Sequence, residues 1–196
     1  KNQKMNDTEI KLLTLLGSYG DVVELDWKFD TDAVIKELQQ SSWIEGTHGK
    51  RAINLTGPTE DIGLEAKDKH DADQPINENC TPGILPFFNK WEKLARCRAV
   101  ELSAGSYFKM HRDAHKMRPQ MRVFIPLNKV DVHEWNFIYN TERVLFKPGV
   151  PYILNTRKQH GSFAFEGGIY HVLMSIYITE HNVKTVMNML PNCKEY

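Results

Sequence analysis

Between residues 98 and 178 the chain alternates short apolar segments with residues that favour turns. Stretches containing Gly, Pro or Asn, such as SAG, KPGVP and EGG, separate the apolar segments and predict tight connections. A succession of many short strands favours a β-sandwich or jelly roll, in which few strand edges stay exposed. The eight predicted strands are RAVEL, SYFKMH, MRVFIPL, EWNFIYN, RVLF, PYILN, SFAF and YHVLMSIYI.

We therefore expect a mainly β fold with flanking helices: a double-stranded β-helix, the jelly-roll architecture of cupin-like proteins. The length of 196 residues suits a single domain. Residues 1–96 would provide N-terminal helices and a long surface excursion, residues 97–180 the jelly-roll core, and residues 181–196 a C-terminal helix and tail. The excursion is the polar stretch from Gly46 to Gly83, which contains one strand candidate, RAINLTG.

Three segments outside the strand region have helical periodicity. FDTDAVIKELQQSSW starts with Asp30 or Thr31 as a potential N-cap, and its apolar residues fall on one helical face. ILPFFNKWEKLARC, over residues 84–97, predicts a second helix, and HNVKTVMNML predicts a last one. The two N-terminal helices would pack on one of the two sheets, and the last helix would close the chain.

Composition excludes several classes of function. Lys plus Arg and Asp plus Glu each total 25, so the formal net charge is zero and no basic field attracts nucleic acid or an anionic membrane. The sequence has no apolar run of membrane-spanning length, and its first residues do not resemble a signal peptide. Three cysteines, far apart in the sequence, favour a reducing compartment. We expect a soluble, cytoplasmic protein with no nucleic-acid or membrane partner.

A histidine and an aspartate two residues apart indicate a metal site. His111 and Asp113 would lie on one face of an extended chain, and a third ligand would come from a strand distant in sequence. His160 is one candidate for this ligand; His171 is its rival, although a histidine in an apolar strand is by default a hydrogen-bonded core residue. Two imidazoles and one carboxylate form the facial triad of non-haem Fe(II) oxygenases. An HxD pair by itself is common by chance.

Two longer blocks carry a family resemblance. VELSAGSYFKMHRDAHKMRPQMRVFIPL resembles the iron-binding segment of the aspartyl/asparaginyl β-hydroxylase-like family, which includes the cis-proline hydroxylases. FKPGVPYILNTRKQHGSFAF resembles the second block of that family, with its Pro-Gly turn and distal histidine. The resemblance covers roughly residues 84–180. It implies a jelly-roll dioxygenase that binds Fe(II) through His111, Asp113 and His160.

The resemblance also implies 2-oxoglutarate as cosubstrate, with Arg122 helping to hold its carboxylates. The family places a second arginine ten residues after the distal histidine, where this chain has Tyr170 followed by His171. Three explanations stay open. Tyr170 or His171 assists a basic residue from elsewhere, the enzyme uses a different 2-oxo acid, or cosubstrate binding has been lost. The basic residues considered are Arg118, Arg157 and Lys147.

Two further features flank the predicted site. Arg157 precedes the distal histidine by three residues, so it either faces the pocket or is an exposed loop residue. Trp135, Phe137 and Tyr139 alternate along one strand and share a face, which core packing explains more often than a substrate platform.

The implied activity is an Fe(II)- and 2-oxoglutarate-dependent dioxygenase that hydroxylates a C–H bond of an amino acid or an amino-acid side chain. Its partners would be dioxygen and either a small-molecule substrate or a protein side chain. One alternative is a cupin-type metalloprotein that keeps the three ligands without 2-oxoglutarate chemistry. Another is a non-catalytic module in which the HxD pair is a relic, because fold-level analogy does not establish activity.

Overall fold

The computed structural model describes residues 6–60, 73–113 and 120–191. The helices within these ranges are α1 (Asp7–Ser18), α2 (Thr31–Leu38), α3 (Leu85–Phe88) and α4 (Glu180–Asn188). The strands are β1 (Val22–Glu24), β2 (Ile44–Glu45), β3 (Lys50–Asn54), β4 (Leu94–Leu102), β5 (Tyr107–His111), β6 (Gln120–Pro126), β7 (Trp135–Tyr139), β8 (Glu142–Val144), β9 (Tyr152–Leu154), β10 (His160–Ala164) and β11 (Ile169–Tyr177).

The strands form two antiparallel sheets. The larger sheet has the order β1-β9-β6-β11-β4-β3-β2, and the smaller has the order β5-β10-β7-β8. The inner faces of the two sheets meet through aromatic side chains: the ring of Phe124 on β6 stacks on that of Trp135 on β7 with centroids 5.7 Å apart. The predicted jelly roll is therefore confirmed, and each of the eight predicted strands corresponds to one of β4–β11.

Alternation along the central strand β11 divides the molecule into two cores. Val172, Met174 and Ile176 point outward and pack with the helices, whereas Ile169 and Leu173 belong to the core between the sheets. This alternation is the period-two pattern of a strand that is covered on both faces. Burying an aliphatic side chain of this kind contributes roughly 1.5–3 kcal/mol each, so both layers stabilise the larger sheet.

The helical layer covers the outer face of the larger sheet. Helix α2 begins as predicted, since the side chain of Asp30 accepts a hydrogen bond from the backbone N–H of Ala33 at 3.1 Å. Val34 and Leu38 of this helix are fully buried. Helix α1, which the periodicity of the sequence did not reveal, adds Leu12 to the same core.

The helix predicted over residues 84–97 is wrong beyond its first turn. Helix α3 ends at Phe88, Lys93 adopts a left-handed conformation with φ of 48°, and β4 starts at Leu94. From Leu94 onward the backbone pairs with β11, and from Arg98 onward it also pairs with β3, so tertiary pairing overrides the helical periodicity.

The larger sheet extends into the N-terminal part of the chain. Strands β1, β2 and β3 all lie within residues 1–96, where the sequence predicted helices and a surface excursion with one strand. Strand β3 is that one strand, and β1 pairs with β9 at the far edge of the sheet. No helix in the described part of the chain combines the length and the apolar character that a membrane span requires.

Candidate metal centre

The structure brings the three predicted metal ligands together. His111 ends β5, Asp113 follows two residues later, and His160 begins β10. Antiparallel pairing of β5 with β10 places His160 directly opposite His111, and the centroids of their rings are 4.3 Å apart. One potential ligand atom from each of the three side chains lies within 4.8 Å of the others.

Each imidazole is oriented by a backbone carbonyl. The Nδ1 atom of His111 lies 2.6 Å from the carbonyl oxygen of Lys109, and that of His160 lies 3.0 Å from the carbonyl oxygen of Lys158. A carbonyl oxygen can only accept, so Nδ1 carries a proton in both rings and Nε2 is the nitrogen that can present a lone pair to a metal; without a metal, Nε2 of a protonated His111 donates to Asp113. This is the tautomer and the outer hydrogen bond that metal-binding histidines usually have.

Asp113 is held between the two sheets by several bonds. Its backbone N–H donates to the carbonyl oxygen of Thr156 at 2.9 Å, and Nη2 of Arg122 donates to its Oδ2 atom at 2.9 Å. Its other oxygen, Oδ1, lies 3.5 Å from Nε2 of His111. Arg122 is fixed in turn, because its Nη1 atom donates to the hydroxyl of Ser175 on β11.

The electrostatics of the cluster suit a cation. Burial by itself would raise the pKa of the Asp113 carboxyl, but the hydrogen bonds from His111 and Arg122 hold it well below its usual range. The hydrogen bond to Asp113 raises the pKa of His111, whereas burial lowers the pKa of His160. A charged carboxylate next to two imidazole nitrogens is a donor set that suits Fe(II) and related divalent metals.

Gly161 permits the close approach of the two ligand-bearing strands. A Cβ atom at this position would lie 2.8 Å from the carbonyl oxygen of Phe108 and 2.8 Å from the sulfur of Met110, both on β5. The register between β5 and β10 also shifts between His160 and Ser162. A side chain at position 161 would therefore force β5 and β10 apart next to the metal ligands.

A cavity of about 550 Å³ extends from the cluster into the space between the sheets. This volume lies within the range of small-molecule sites, roughly 300–1,000 Å³. Among the described residues that line it, Asp113 is the sole carboxylate. Its basic lining residues are Lys50, Arg98, Lys109 and Arg122. The cavity is thus suited to a small anionic ligand.

The remaining predicted site residues have different positions. His171 lines the cavity but is not part of the ligand cluster. Tyr170 does not line the cavity: strand alternation turns it to the helical side, where Nε2 of Gln39 donates to its hydroxyl at 3.3 Å and its ring contacts Trp43. Arg157 pairs with Glu9 of α1 and does not line the cavity.

Lys147 and Arg118 were the two other basic residues considered as partners of the cosubstrate. Lys147 pairs with Glu24 at 2.9 Å on the surface, away from the cavity. Arg118 lies outside the described residues, as does His115 beside the HxD pair. The outward position of Tyr170 contradicts the assignment of this residue to the cosubstrate site, as an assistant to a basic residue from elsewhere.

Two cavity residues were missed in the sequence. Arg98 lies on β4 on the same face as Val100 and Leu102, which are part of the core between the sheets. Lys50 on β3 is buried, and its Nζ atom donates to the carbonyl oxygen of Tyr107 at 3.0 Å. The alternation of RAVEL does put Arg98 on the apolar inner face, and this was the available signal.

Comparisons with known proteins concern the fold. No protein-family model matches the chain, and no curated protein matches it. Among solved structures, it is similar to an oxidoreductase of the 2OG-Fe(II) oxygenase family from Burkholderia pseudomallei. The TM-score is 0.57 at 14% identity, over 90% of this chain and 91% of that one. The chain has a cupin-like jelly-roll fold.

Two further solved structures are more distant from this cupin-like chain. An RmlC-like cupin from Shewanella frigidimarina has a TM-score of 0.40 at 11% identity, over 70% of this chain and 86% of that one. The DMSP lyase DddQ from Ruegeria pomeroyi has a TM-score of 0.43 at 14% identity, over 91% of this chain and 76% of that one.

Arg122→Met is expected to weaken Fe(II) binding about 10- to 100-fold, because loss of an outer partner releases the ligand that it orients. The methionine keeps the length of the side chain but removes the hydrogen bond to Asp113. Anaerobic titration of the metal-free protein with Fe(II) measures the effect. Arg143→Met, on the exposed strand β8, is the matched control. Unchanged Fe(II) affinity in Arg122→Met would show that Asp113 does not depend on this bond.

Proposed function

We propose that the chain is an Fe(II)- and 2-oxoglutarate-dependent dioxygenase that hydroxylates a C–H bond of an amino acid or an amino-acid side chain. The observation that carries the proposal is the cluster of His111, Asp113 and His160, whose ligand atoms lie within 4.8 Å of one another at a cavity. Two imidazoles and one carboxylate are the facial set of non-haem Fe(II) oxygenases. The resemblance of the two sequence blocks supports the same assignment.

Bound iron would supply the activation of dioxygen, which amino-acid side chains do not perform. The chain itself contributes binding and orientation. The carbonyls of Lys109 and Lys158 fix the two imidazoles, and Arg122 fixes Asp113 as a charged ligand. Phe124 and Phe137 line the cavity with apolar surface, against which the apolar part of a substrate can pack.

The proposed substrate is a small amino-acid-like molecule, with a protein side chain as the alternative, and dioxygen is the second reactant. The basic lining of the cavity favours a molecule that carries a carboxylate. A neutral chain with no net basic charge supports neither nucleic-acid nor membrane binding. We place the reaction in the cytoplasm, in keeping with the cysteine content.

A second candidate is a cupin-type metalloprotein that works without 2-oxoglutarate. Two positions favour it: Tyr170 faces away from the cavity, and Arg122 is occupied by Asp113 and Ser175. Neither residue is then left to hold the cosubstrate in the manner that the family resemblance implies. The same metal site would serve such a protein, so cosubstrate binding is the property that separates the two candidates.

The test is anaerobic reconstitution of the purified protein with Fe(II) followed by 2-oxoglutarate. We expect a visible charge-transfer band that appears only when both are present, and succinate formation once dioxygen and a substrate are supplied. Alanine at His111 should remove the band, whereas alanine at the exposed His133 should leave it unchanged. Metal binding by calorimetry with no affinity for 2-oxoglutarate would favour the second candidate.

A further inference from the structure

Arg98, Trp135 and His171 line the part of the cavity that lies beyond the metal ligands. Along β11, Ser175 lies opposite Arg122 beside the metal cluster. His171 lies four residues earlier on the same strand, opposite Pro126 and away from the cluster. Along β10, Ala164 is four residues from His160 and pairs with Trp135. Both His171 and Trp135 are therefore about 13 Å along the strands from the metal ligands, at roughly 3.3 Å per residue.

Along the strand direction, Arg98 lies between the metal ligands and the pair formed by His171 and Trp135. It pairs with Leu173 on β11, two residues from Ser175, so it is about 7 Å along the strand direction from the level of Arg122. Its guanidinium is close enough to His171 to influence the titration of that ring. The rings of Trp135 and His171 are stacked with centroids 6.2 Å apart. We call Arg98, Trp135 and His171 the deep subsite.

Each member of the deep subsite has a buried polar atom without a partner. Among the described residues, the atoms Nη1 of Arg98, Nε1 of Trp135 and Nδ1 of His171 are buried and make no hydrogen bond. Trp135 is 4% exposed and His171 is 3% exposed. Buried polar groups in folded proteins nearly always have a partner, so three such atoms around one cavity indicate a ligand that satisfies them.

The chemistry of these atoms specifies the ligand. Burial, with the nearby guanidiniums of Arg96 and Arg122, lowers the pKa of Arg98 to about 9, so it stays cationic at neutral pH. Burial and the charge of Arg98 lower the pKa of His171 to about 3, so this imidazole is neutral. The subsite therefore offers one charged donor, one indole N–H and one neutral ring, while Asp113, the sole carboxylate among the described lining residues, lies at the metal end of the cavity. A carboxylate group can accept from the guanidinium, from the indole N–H and from Nδ1 of His171 in the tautomer that has its proton there.

We propose that Arg98, Trp135 and His171 bind the carboxylate of the 2-oxo acid cosubstrate that lies farther from its 2-oxo group. The identity of this ligand rests on the proposed function. The step of about 7 Å between the position of Arg122 and that of Arg98 suits a dicarboxylate with its other end at the metal ligands. Arg98 therefore makes the main contact, and the side chains of His171 and Trp135 reach back toward it from about 6 Å further along the strands. Arg98 thus supplies, from β4, the positive charge that the sequence lacks at Tyr170.

The experiment compares two cosubstrates that differ only at the far end. Fe(II)-loaded protein is titrated anaerobically with 2-oxoglutarate and with 2-oxobutyrate, which has the same 2-oxo carboxylate but no second carboxyl. In Arg98→Met we expect the Kd of 2-oxoglutarate to rise about 10- to 100-fold, as for loss of a charged hydrogen bond. The Kd of 2-oxobutyrate should stay within about twofold, since it never reaches Arg98.

Further variants separate binding from folding. Trp135→Phe keeps the ring and removes the N–H, so 2-oxoglutarate should bind about 3- to 10-fold more weakly. Arg98→Lys should recover part of the affinity, and Arg143→Met on the exposed strand β8 should change neither Kd. Fe(II) stoichiometry and circular dichroism should match the unsubstituted protein in every variant.

The outcomes are distinct. If the unsubstituted protein binds neither 2-oxo acid, the proposed function fails and the assignment of the subsite fails with it. If the unsubstituted protein binds 2-oxoglutarate and Arg98→Met binds it equally well, the proposed function stands and the deep subsite is refuted. An equal loss of affinity for both acids in Arg98→Met also refutes it, because the far carboxylate would then play no part.

Discussion

Asp113→Ala is expected to lower the affinity for Fe(II) by at least about 100-fold, since loss of even an outer partner of a metal ligand costs 10- to 100-fold. Alanine removes the carboxylate, the only anionic member of the cluster, and leaves two neutral imidazoles. Metal content after anaerobic reconstitution and gel filtration measures the loss. Turnover should fall to the background of metal-free protein.

The substitution also leaves Arg122 without its carboxylate, so folding has to be followed separately. An unpaired hydrogen-bonding group costs roughly 1–3 kcal/mol when buried. Asp113→Asn keeps an acceptor for Arg122 and separates loss of the metal from loss of stability. Asp32→Ala, at an exposed position of α2, is the control. Full metal content in Asp113→Ala would show that the metal binds elsewhere.

The free energy of unfolding of the metal-free protein should fall by up to about 1.4 kcal/mol per pH unit below pH 6.5 on account of His171 alone. Burial, followed by the charge of Arg98, lowers the pKa of His171 from 6.5 to about 3. Between these values the unfolded chain binds a proton that the folded chain does not. Stability is therefore complete above pH 6.5 and is lost as the pH falls toward 3.

Chemical denaturation at several pH values between 6.5 and 4.5 measures this slope. His171→Gln has no titrating ring, so its stability should vary less with pH than that of the unsubstituted protein, whatever its stability at pH 7. His133→Gln replaces an exposed histidine and should keep the original slope. Equal slopes for all three proteins would mean that His171 takes up protons in the folded state as readily as in the unfolded state.

Sequence patterns of short range predicted much of this molecule. Each of the strands β4–β11 follows from alternation and the turn residues around it, and α2 follows from its N-cap Asp30. The pair formed by His111 and Asp113 was recognised because two ligands on one extended segment need no knowledge of the fold. His160 needed the second sequence block, since only the pairing of β10 with β5 brings it to His111.

Features that depend on long-range pairing were missed or misplaced. Residues 84–97 carry apolar positions that suit a helix, but from Leu94 the chain is a strand enclosed by neighbours that are distant in sequence. The position ten residues after the distal histidine, where the resembling family has its second arginine, is Tyr170. The alternation of β11 turns Tyr170 away from the cavity and directs His171 into it. The alternation of RAVEL puts Arg98 on the inner face, but only the pairing of β4 with β11, which is distant in sequence, brings it to the cavity.

The spacing of the two candidate metal-binding imidazoles depends on a residue that contributes no atoms to the site. His111 and His160 lie opposite each other because β5 and β10 approach closely at Gly161. A Cβ atom at this position would lie 2.8 Å from the carbonyl oxygen of Phe108 and 2.8 Å from the sulfur of Met110. A search for ligand-forming residues would report the histidines and the aspartate and overlook position 161. The proposed metal-binding motif of this chain therefore includes a fourth position, Gly161, which must have no side chain.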